Sequence, residues 1–213
     1  SNAISQRGTQ LYHYPNVETI YNPIDFSAIQ EGLKETISFD FPFILGVGRM
    51  KDNIKQFDKL IQCYAQSNLP SQNVKLVLIG DGAFKAKLEQ LVKQLNVADC
   101  VSNPFPFYAN ALFTVLTSKN EGFPTVLLES LACGTPVVAF DCQSGPNEII
   151  VDQQNGLLVE NQNEEKMLFA INQMFENKDL YLHCKQNAAA SVAKFSLENI
   201  GQQWSQLLQI ETQ

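Results

Sequence analysis

Residues 113–140 read FTVLTSKNEGFPTVLLESLACGTPVVAF and contain one complete strand–helix–strand unit. The apolar runs at 113–117 and 136–140 have the length of buried strands. Between them, residues 124–133 carry a helical pattern, and Pro124 suits a first helical turn because its missing N–H is not needed there. Gly134 is the residue type expected where a helix ends. The stretch therefore predicts two parallel strands joined by a helix.

The same alternation continues on both sides of this unit. Further strands are predicted at 43–47, 74–79, 100–102 and 156–159. Further helices are predicted at 54–65, 84–95, 145–151, 164–177, 180–193 and 196–208, with Ser196 as the N-cap of the last. Residues 4–42 are expected to be irregular because prolines punctuate them. The whole pattern predicts an α/β fold with a Rossmann-like, doubly wound parallel sheet, whose ligands bind at the carboxyl ends of the strands.

Composition excludes several classes of protein. The chain has 213 residues, of which 45% are hydrophobic and 17% charged, and its net charge is −7. These values are typical of a globular domain and argue against a nucleic-acid groove as the main function. Apolar runs are strand-sized, so no membrane span is predicted. The five cysteines are odd in number and lack CxxC spacing, which argues against a disulfide framework or a zinc site.

The first candidate loop, Gly46-Val47-Gly48-Arg49, follows the strand at 43–47. It lacks the third glycine of a dinucleotide fingerprint, so a nicotinamide cofactor is disfavoured. Arg49 and Lys55 instead offer two cations that suit a diphosphate. The alternative is that both are solvated loop charges.

The second candidate segment runs from Glu121 to Glu129. Gly122 permits close backbone approach, and the helix start that follows it is an anion site. Glu129 interrupts an otherwise apolar helix face, where a carboxylate needs hydrogen-bond donors such as sugar hydroxyls. The alternative is one glutamate that complements the helix dipole and one that is exposed.

The third candidate loop, after the strand at 136–140, contains Ser144 and Gly145. Alone it is better interpreted as a plain helix cap. Together, the three loops describe a crevice for a nucleotide diphosphate attached to a polyol.

These motifs resemble a known family. Gly48-Arg49 with Lys55, the Glu-x7-Glu motif from Glu121 to Glu129, and the run LACGTPVV at 131–138 carry the resemblance. Over residues 21–208 the chain resembles the C-terminal, donor-binding half of retaining GT-B glycosyltransferases, that is, glycosyltransferase family four or glycosyl transferases group one. Ser-Asn-Ala at residues 1–3 looks like the remnant of a cleaved tag. The resemblance implies an interdomain segment at 4–42, a donor-binding domain at 43–195 and a C-terminal helix at 196–213.

The resemblance also implies roles for individual residues. Arg49 and Lys55 would hold the diphosphate and stabilise its leaving charge, Glu121 would contact the transferred sugar, and Glu129 would accept from the ribose hydroxyls. Residues 103–105 would lie against the base, and backbone N–H groups around 123–126 would hold the distal phosphate, although Pro124 has none to give. The implied donor-binding residues are Gly48, Asn103, Phe105, Gly122, Phe123, Pro124, Thr125, Val126, Glu129, Ser144 and Gly145.

The implied activity is transfer of a hexose or N-acetylhexosamine from a UDP-sugar to a glycan or glycolipid acceptor in lipopolysaccharide, capsule or related surface glycans. No metal or cofactor is expected. The implied location is cytoplasmic, with the whole enzyme at the inner membrane face. The acceptor domain is expected to be missing from this chain, which should bind donor and transfer little. Alternatives are a GT-B type sugar-nucleotide epimerase and a non-enzymatic α/β binding module. His13 and His183 are expected to be structural or solvated, and Trp204 is expected to pack.

Overall fold

A computed structural model describes residues 1–13, 17–35, 39–95, 100–101 and 105–209. These residues form a six-stranded parallel sheet with the order β3-β2-β1-β4-β5-β6. The strands are β1 (Phe43–Val47), β2 (Lys75–Ile79), β3 (Cys100–Val101), β4 (Thr114–Leu116), β5 (Val137–Asp141) and β6 (Gly156–Glu160). The strand order reverses between β1 and β4, so the predicted doubly wound sheet is confirmed.

Helices cover both faces of the sheet. They are α1 (Asn2–Tyr12), α2 (Phe26–Gly32), α3 (Phe57–Gln66), α4 (Lys85–Leu95), α5 (Phe105–Asn110), α6 (Thr125–Ala132), α7 (Pro146–Ile149), α8 (Glu164–Glu176), α9 (Lys178–Ser191) and α10 (Leu197–Leu208). Alternate strand residues point to opposite faces. Val138 and Phe140 of β5 pack in the cluster with α3, α4 and α8, whereas Val137 and Ala139 pack in the cluster with α2 and α6.

The expectation that residues 4–42 are irregular is wrong, because most of α1 and all of α2 lie within them. In α2 only Ile29 is buried, and the helix is held by Asp25, whose carboxylate accepts from the backbone N–H of Ala28 at 2.9 Å. A helix of seven residues with one buried side chain has no apolar period to detect. The sequence signal that could have predicted α2 was its N-cap residue, Asp25.

Several predicted helix bounds also differ from the structure. α3 begins at Phe57 rather than at 54, because Gln56 adopts a left-handed conformation and Ile54 is 46% exposed. α7 is a helix of four residues, Pro146–Ile149, and is therefore shorter than the helix predicted over 145–151. The final helix is confirmed with its cap, since the Ser196 hydroxyl accepts from the Asn199 N–H at 3.1 Å.

A two-bond clasp joins the segment before β1 to the segment before α10. The N–H of Ile24 donates to the carbonyl of Phe195 at 2.7 Å, and the N–H of Leu197 donates to the carbonyl of Ile24 at 3.2 Å. The pairing of Ile24 with Ser196 is parallel. Ile24 and Phe195 are buried, so the clasp is seated in the core. The predicted domain bounds at 42/43 and 195/196 remain predictions.

Other residues singled out from the sequence lie at the surface. Trp204 is 48% exposed, while Ile200 on the same helix is buried, and the expectation that Trp204 packs stays a prediction. His13 and His183 are exposed. The four cysteines whose side chains are described are all free thiols. No helix in the described ranges is long and apolar enough to cross a membrane.

Candidate functional site

An ion pair joins two of the predicted site residues at the carboxyl ends of β1 and β4. Lys55 Nζ donates to Glu121 Oε1 at 2.6 Å, and Ser118 Oγ donates to the same oxygen at 2.6 Å. The Lys55 and Glu121 side chains are only 15% and 11% exposed. Because both charges are largely removed from water, their mutual attraction is stronger than in a surface pair. Both donors reach Oε1, and no hydrogen bond from the described residues reaches Oε2.

The backbone around Lys55 is tied to the end of β4. Thr117 Oγ1 donates to the carbonyls of Lys55 and Gln56, at 3.1 and 2.9 Å. A Cβ added to Gly48 would lie 3.1 Å from Lys55 Cε. Gly48 therefore leaves room for the lysine side chain to cross over it toward Glu121.

Arg49 is placed differently from Lys55. Its side chain is exposed, and it makes no ion pair in the part of the chain that the structure describes. It follows β1 in the same loop as Gly48. The structure thus brings Lys55 to Glu121 but leaves Arg49 apart from this pair, and its role in binding a diphosphate stays a prediction.

Glu129 lies inside α6 with its side chain partly buried. Its Oε2 accepts from the Tyr108 hydroxyl at 3.0 Å. Burial raises the pKa of Glu129 above its ordinary value, and the hydrogen bond from Tyr108 opposes that rise. The expected buried carboxylate with a donor is therefore present, although the donor is a side chain of this chain.

The start of α6 differs from the expected one. The helix begins at Thr125, and Pro124 is its N-cap, with φ −76° and ψ 94°, rather than a residue of the first turn. The N–H of Leu127 donates to the Pro124 carbonyl at 3.0 Å. The N–H groups of Thr125 and Val126 precede the first bond of the helix, the position at which such groups are available to an anion.

The two residues before Pro124 differ in their surroundings: Gly122 has open space beside it, whereas the Phe123 ring is packed. A Cβ added to Gly122 would meet no heavy atom within 4 Å, so the backbone there can be approached. The Phe123 ring, in contrast, packs against Tyr21 and Phe195, with ring centroids 5.0 and 5.4 Å away. Only the backbone of Phe123 is therefore placed to contact a ligand.

The loop after β5 packs directly on the loop after β4. Ser144 Oγ donates to the carbonyls of Glu121 and Gly122, at 2.5 and 3.1 Å. The plain-cap interpretation is therefore wrong: the N-cap of α7 is Gly145, and it has no side-chain cap bond. Gly145 has φ +95°, and an added Cβ would lie 2.4 Å from Pro124 Cδ.

The region expected to hold the base is described only in part. Asn103 lies outside the described residues. Phe105 begins α5, and its ring centroid is 6.4 Å from that of Tyr108. A Cβ added to Gly32 would lie 2.7 Å from Phe105 Cδ2, so the ring packs closely against α2.

Three features of the site were not predicted from the sequence. Ser118 and Tyr108 hydrogen-bond the two glutamates, and α1 lines one side of the site. A cavity of about 610 Å³ is lined by Glu121, Gly122 and Ser144 together with Arg7 and Gln10 of α1. The apolar spacing of Ile4 and Leu11 was the available signal for α1. Within the described residues, no group of three or more His, Cys, Asp or Glu side chains could hold a metal ion.

Residues 33–191 match the family model described as Glycosyl transferases group 1. The chain is 37% identical over 184 residues to the N-acetylgalactosamine-N,N'-diacetylbacillosaminyl-diphospho-undecaprenol 4-alpha-N-acetylgalactosaminyltransferase of Campylobacter jejuni, covering 84% of this chain and 49% of that protein. It is 33% identical over 158 residues to the lipopolysaccharide 1,6-galactosyltransferase of Escherichia coli K12, covering 67% of this chain and 41% of that protein. The chain thus spans less than half the length of both relatives.

A solved structure shares the fold. A mutant of Staphylococcus aureus TarM, crystallised in complex with fondaparinux, alpha-GlcNAc-glycerol and UDP, superposes with a TM-score of 0.82 at 24% identity. The match covers 97% of this chain and 42% of that one.

Proposed function

Because the chain belongs to the glycosyl transferases group 1, we propose that it is the donor-binding part of a retaining glycosyltransferase. The proposed reaction transfers a hexose or N-acetylhexosamine from a UDP-sugar to a growing surface glycan. The names of the relatives support this class of acceptor, since one acts on an undecaprenol-linked saccharide and another on lipopolysaccharide. The bound UDP of the fold neighbour supports the choice of nucleotide to test first.

The observation that carries the proposal is the meeting of Lys55, Ser118 and Glu121 where the strand order reverses. This point, between the carboxyl ends of β1 and β4, is where doubly wound sheets bind nucleotides. A cation and a carboxylate held side by side match the two parts of a nucleotide sugar. The lysine suits the diphosphate, and the carboxylate suits the hydroxyls of the sugar.

In the proposed mechanism, Lys55 and Arg49 neutralise the diphosphate as it leaves the sugar. Lys55 Nζ carries three donors, so it can hold Glu121 Oε1 and still donate to a phosphate oxygen. Because these two cations supply positive charge at the leaving group, the proposal includes no metal cofactor. Glu121 Oε2, which accepts no hydrogen bond from the described residues, would accept from the sugar hydroxyls.

The remaining residues would position the nucleotide. We assign the distal phosphate to the backbone of Gly122, Phe123, Thr125 and Val126 at the start of α6, and the ribose to Glu129. Asn103 and Phe105 would contact the base. Gly48 would give Lys55 its path to the site. The loop after β5, with Ser144 and Gly145, would hold the Glu121 backbone and Pro124 in place.

We further propose that the acceptor and the groups that bind it belong to a part of the enzyme outside this chain. The chain spans less than half of each relative, and a transferase needs both substrates in one cleft. The isolated chain should therefore bind donor and transfer little. We expect the whole enzyme in the cytoplasm, at the inner membrane face, where a lipid-linked acceptor would be presented.

The test is calorimetric titration of the 213-residue chain with UDP, repeated with the Glu129→Ala variant. Loss of a charged hydrogen-bond acceptor should weaken binding by roughly 1.5–3 kcal/mol, about tenfold or more. Glu164→Ala is the matched control. Glu164 forms a 2.6 Å ion pair with Lys59, and this pair is not part of the proposed site. The Glu164→Ala variant should therefore bind UDP like the unchanged chain.

GDP and ADP titrations complete the experiment. UDP-selective binding that Glu129→Ala weakens and Glu164→Ala does not is the supporting result. Absence of UDP binding up to millimolar concentration, with GDP or ADP bound instead, would contradict the choice of donor. Equal losses of UDP affinity in Glu129→Ala and Glu164→Ala would contradict the proposed placement of the nucleotide at Glu129.

A further inference from the structure

Tyr108 is the hydrogen-bonding partner of Glu129, and the interior of the domain holds it in place. Its side chain is fully buried, with 0% of its surface exposed. Its hydroxyl donates to Glu129 Oε2 at 3.0 Å, from α5 across to α6. We propose that Tyr108 is a positioning residue, which fixes the Glu129 carboxylate so that it can accept from the ribose hydroxyls of the donor. This inference rests on the proposed function of the site.

The surroundings of Glu129 explain why it needs such a partner. Its helix neighbours Leu127, Leu128 and Leu131 are all fully buried, so little water solvates the base of the side chain. Tyr108 is the only described side chain that hydrogen-bonds the Glu129 carboxylate. This hydrogen bond holds one carboxylate oxygen of Glu129 and thereby orients the other. The entropic cost of fixing the side chain when a ligand binds is therefore smaller.

Tyr108 is itself fixed at its backbone and ring. Thr135 Oγ1 donates to the Tyr108 carbonyl at 2.6 Å. Its ring lies 6.4 Å from that of Phe105, centroid to centroid, one helical turn earlier in α5. Because α5 begins at Phe105, a residue assigned to the base, Tyr108 on the same helix connects that assignment to the carboxylate assigned to the ribose.

The protonation states of the pair fit this role. Burial and the neighbouring Glu129 charge raise the pKa of Tyr108 well above its ordinary value, so the hydroxyl remains a donor. Its hydrogen bond lowers the pKa of Glu129 against the larger effect of burial. Tyr108 therefore helps to keep Glu129 ionised, the form that accepts two hydroxyl donors.

The first test is Tyr108→Phe, titrated with UDP and with 2′,3′-dideoxy-UDP. The substitution removes only the hydroxyl, and we expect UDP affinity to fall roughly three- to tenfold. The affinity for the dideoxy probe, which has no ribose hydroxyls for Glu129 to bind, should be unchanged. A purely structural role would weaken both probes equally, and that result would overturn the inference.

Tyr64→Phe is the matched control. Tyr64 is also buried, and its hydroxyl donates to the Val74 carbonyl at 2.7 Å in the core beneath α3. Both variants should lose stability in denaturant unfolding. Only Tyr108→Phe should lose UDP affinity, and an equal loss in Tyr64→Phe would overturn the inference.

A pH profile gives a second readout. Protonation of Glu129 removes an acceptor, so UDP affinity should fall as the pH is lowered through the Glu129 pKa. Without the Tyr108 hydroxyl that pKa rises, and the fall should begin at a higher pH in Tyr108→Phe. Among the described residues, the titratable groups that face Glu129 are the Tyr108 hydroxyl and the Cys133 thiol. Burial raises the pKa of Tyr108 well above its ordinary value and that of Cys133 to about 12, so both stay neutral over this range. Identical profiles would overturn the inference.

A double variant covers the case in which Tyr108→Phe does not fold. Glu129→Ala removes the carboxylate that accepts the Tyr108 hydrogen bond, and loss of both partners of a bond is milder than loss of one. In the Glu129→Ala background, Tyr108→Phe should cause no further loss of UDP affinity, and a further severalfold loss would contradict the coupling between the two residues. If the unchanged chain binds no UDP, the proposed function fails and this inference with it. If UDP binding depends on Glu129 but not on Tyr108, only this inference fails.

Discussion

Lys55 and Glu121 each depend on the other for the neutralisation of a mostly buried charge. Both side chains are mostly buried and share one 2.6 Å contact, and removal of one partner leaves the other charge in a site where water solvates it poorly. Such removal is more disruptive than the net strength of the pair suggests. Donor binding would not break the pair, because the ammonium group has further donors to offer.

Lys55→Ala should therefore lower UDP affinity roughly tenfold, since a charged hydrogen bond to the diphosphate is lost. The matched variant is Lys59→Ala, because Lys59 also forms a 2.6 Å ion pair, with Glu164 on α8. Both substitutions remove one lysine and one ion pair, so net charge cannot explain a difference. Calorimetric titration of both variants is the measurement, and similar affinities in the two would refute the assignment of Lys55.

Single residues show what the sequence can and cannot reveal about the site. Lys55, Glu121 and Glu129 could be selected because charged residues stood out in loops after apolar strands or on an apolar helix face. Ser118 and Tyr108 could not be selected, because their importance lies in which oxygen each hydroxyl reaches. That depends on loop and helix placement, and not on any spacing in the sequence.

The loops after β4 and β5 behave as one element. Ser144 donates to two carbonyls of the preceding loop, and Gly145 lies so close to Pro124 that a side chain does not fit. The start of α6 is therefore positioned by its neighbour across the sheet as well as by its own sequence.

Gly145→Ala should destabilise the protein by about 1–3 kcal/mol, since φ is +95° there and the new Cβ would meet Pro124 Cδ at 2.4 Å. UDP affinity should fall with it, as the helix start is displaced. Gly122→Ala is the contrasting variant, because its Cβ would meet nothing within 4 Å. It should leave stability unchanged within about 0.5 kcal/mol and still reduce UDP affinity, because it narrows the approach to the backbone.

Denaturant unfolding and calorimetry separate the two glycine variants. Equal stability of Gly145→Ala and the unchanged chain would show that the loops do not depend on this contact. Full UDP affinity in Gly122→Ala would place the ligand away from that backbone.

Elements that carry an apolar run or period were predictable, even the short strands β3 and β4, whereas the short helices were missed or were given wrong bounds. Strands such as β1 and helices such as α8 carry apolar periods that identify them in the sequence. α2, α5 and α7 have seven, six and four residues, which is too short for a period to stand out. Their placement follows from packing and caps instead.

At the scale of the whole molecule, topology followed from general rules. Alternating strands and helices leave few arrangements once crossovers are right-handed, and the predicted doubly wound sheet is the observed one. The position of α1 beside the site could not be predicted, since it depends on which surface of the finished domain offers α1 a place to pack.

Buried thiols should make the whole fold sensitive to alkali. Burial raises the pKa of Cys63, Cys142 and Cys184 from 9.0 to about 11, and that of Cys133 to about 12. The folded chain therefore retains these protons at a pH where the unfolded chain releases them. The free energy of unfolding should be steady below pH 9 and decline as the pH rises from 9 to 11.

Denaturant unfolding at intervals between pH 8 and 10 measures this decline before most lysines titrate. Cys184→Ala should be less stable at pH 8, but its free energy of unfolding should decline less steeply with pH, because one of the four thiols with a raised pKa is gone. A free energy of unfolding that stays flat to pH 10 would contradict the prediction.

The clasp between Ile24 and Ser196 has a mechanical consequence. The two paired segments run parallel, so tension applied before Ile24 and after Ser196 pulls them in opposite directions along their length. The two hydrogen bonds of the clasp are then loaded together in shear, rather than opened one after the other. The sheet and the proposed nucleotide site lie between these points along the chain, so they carry no load until the clasp ruptures.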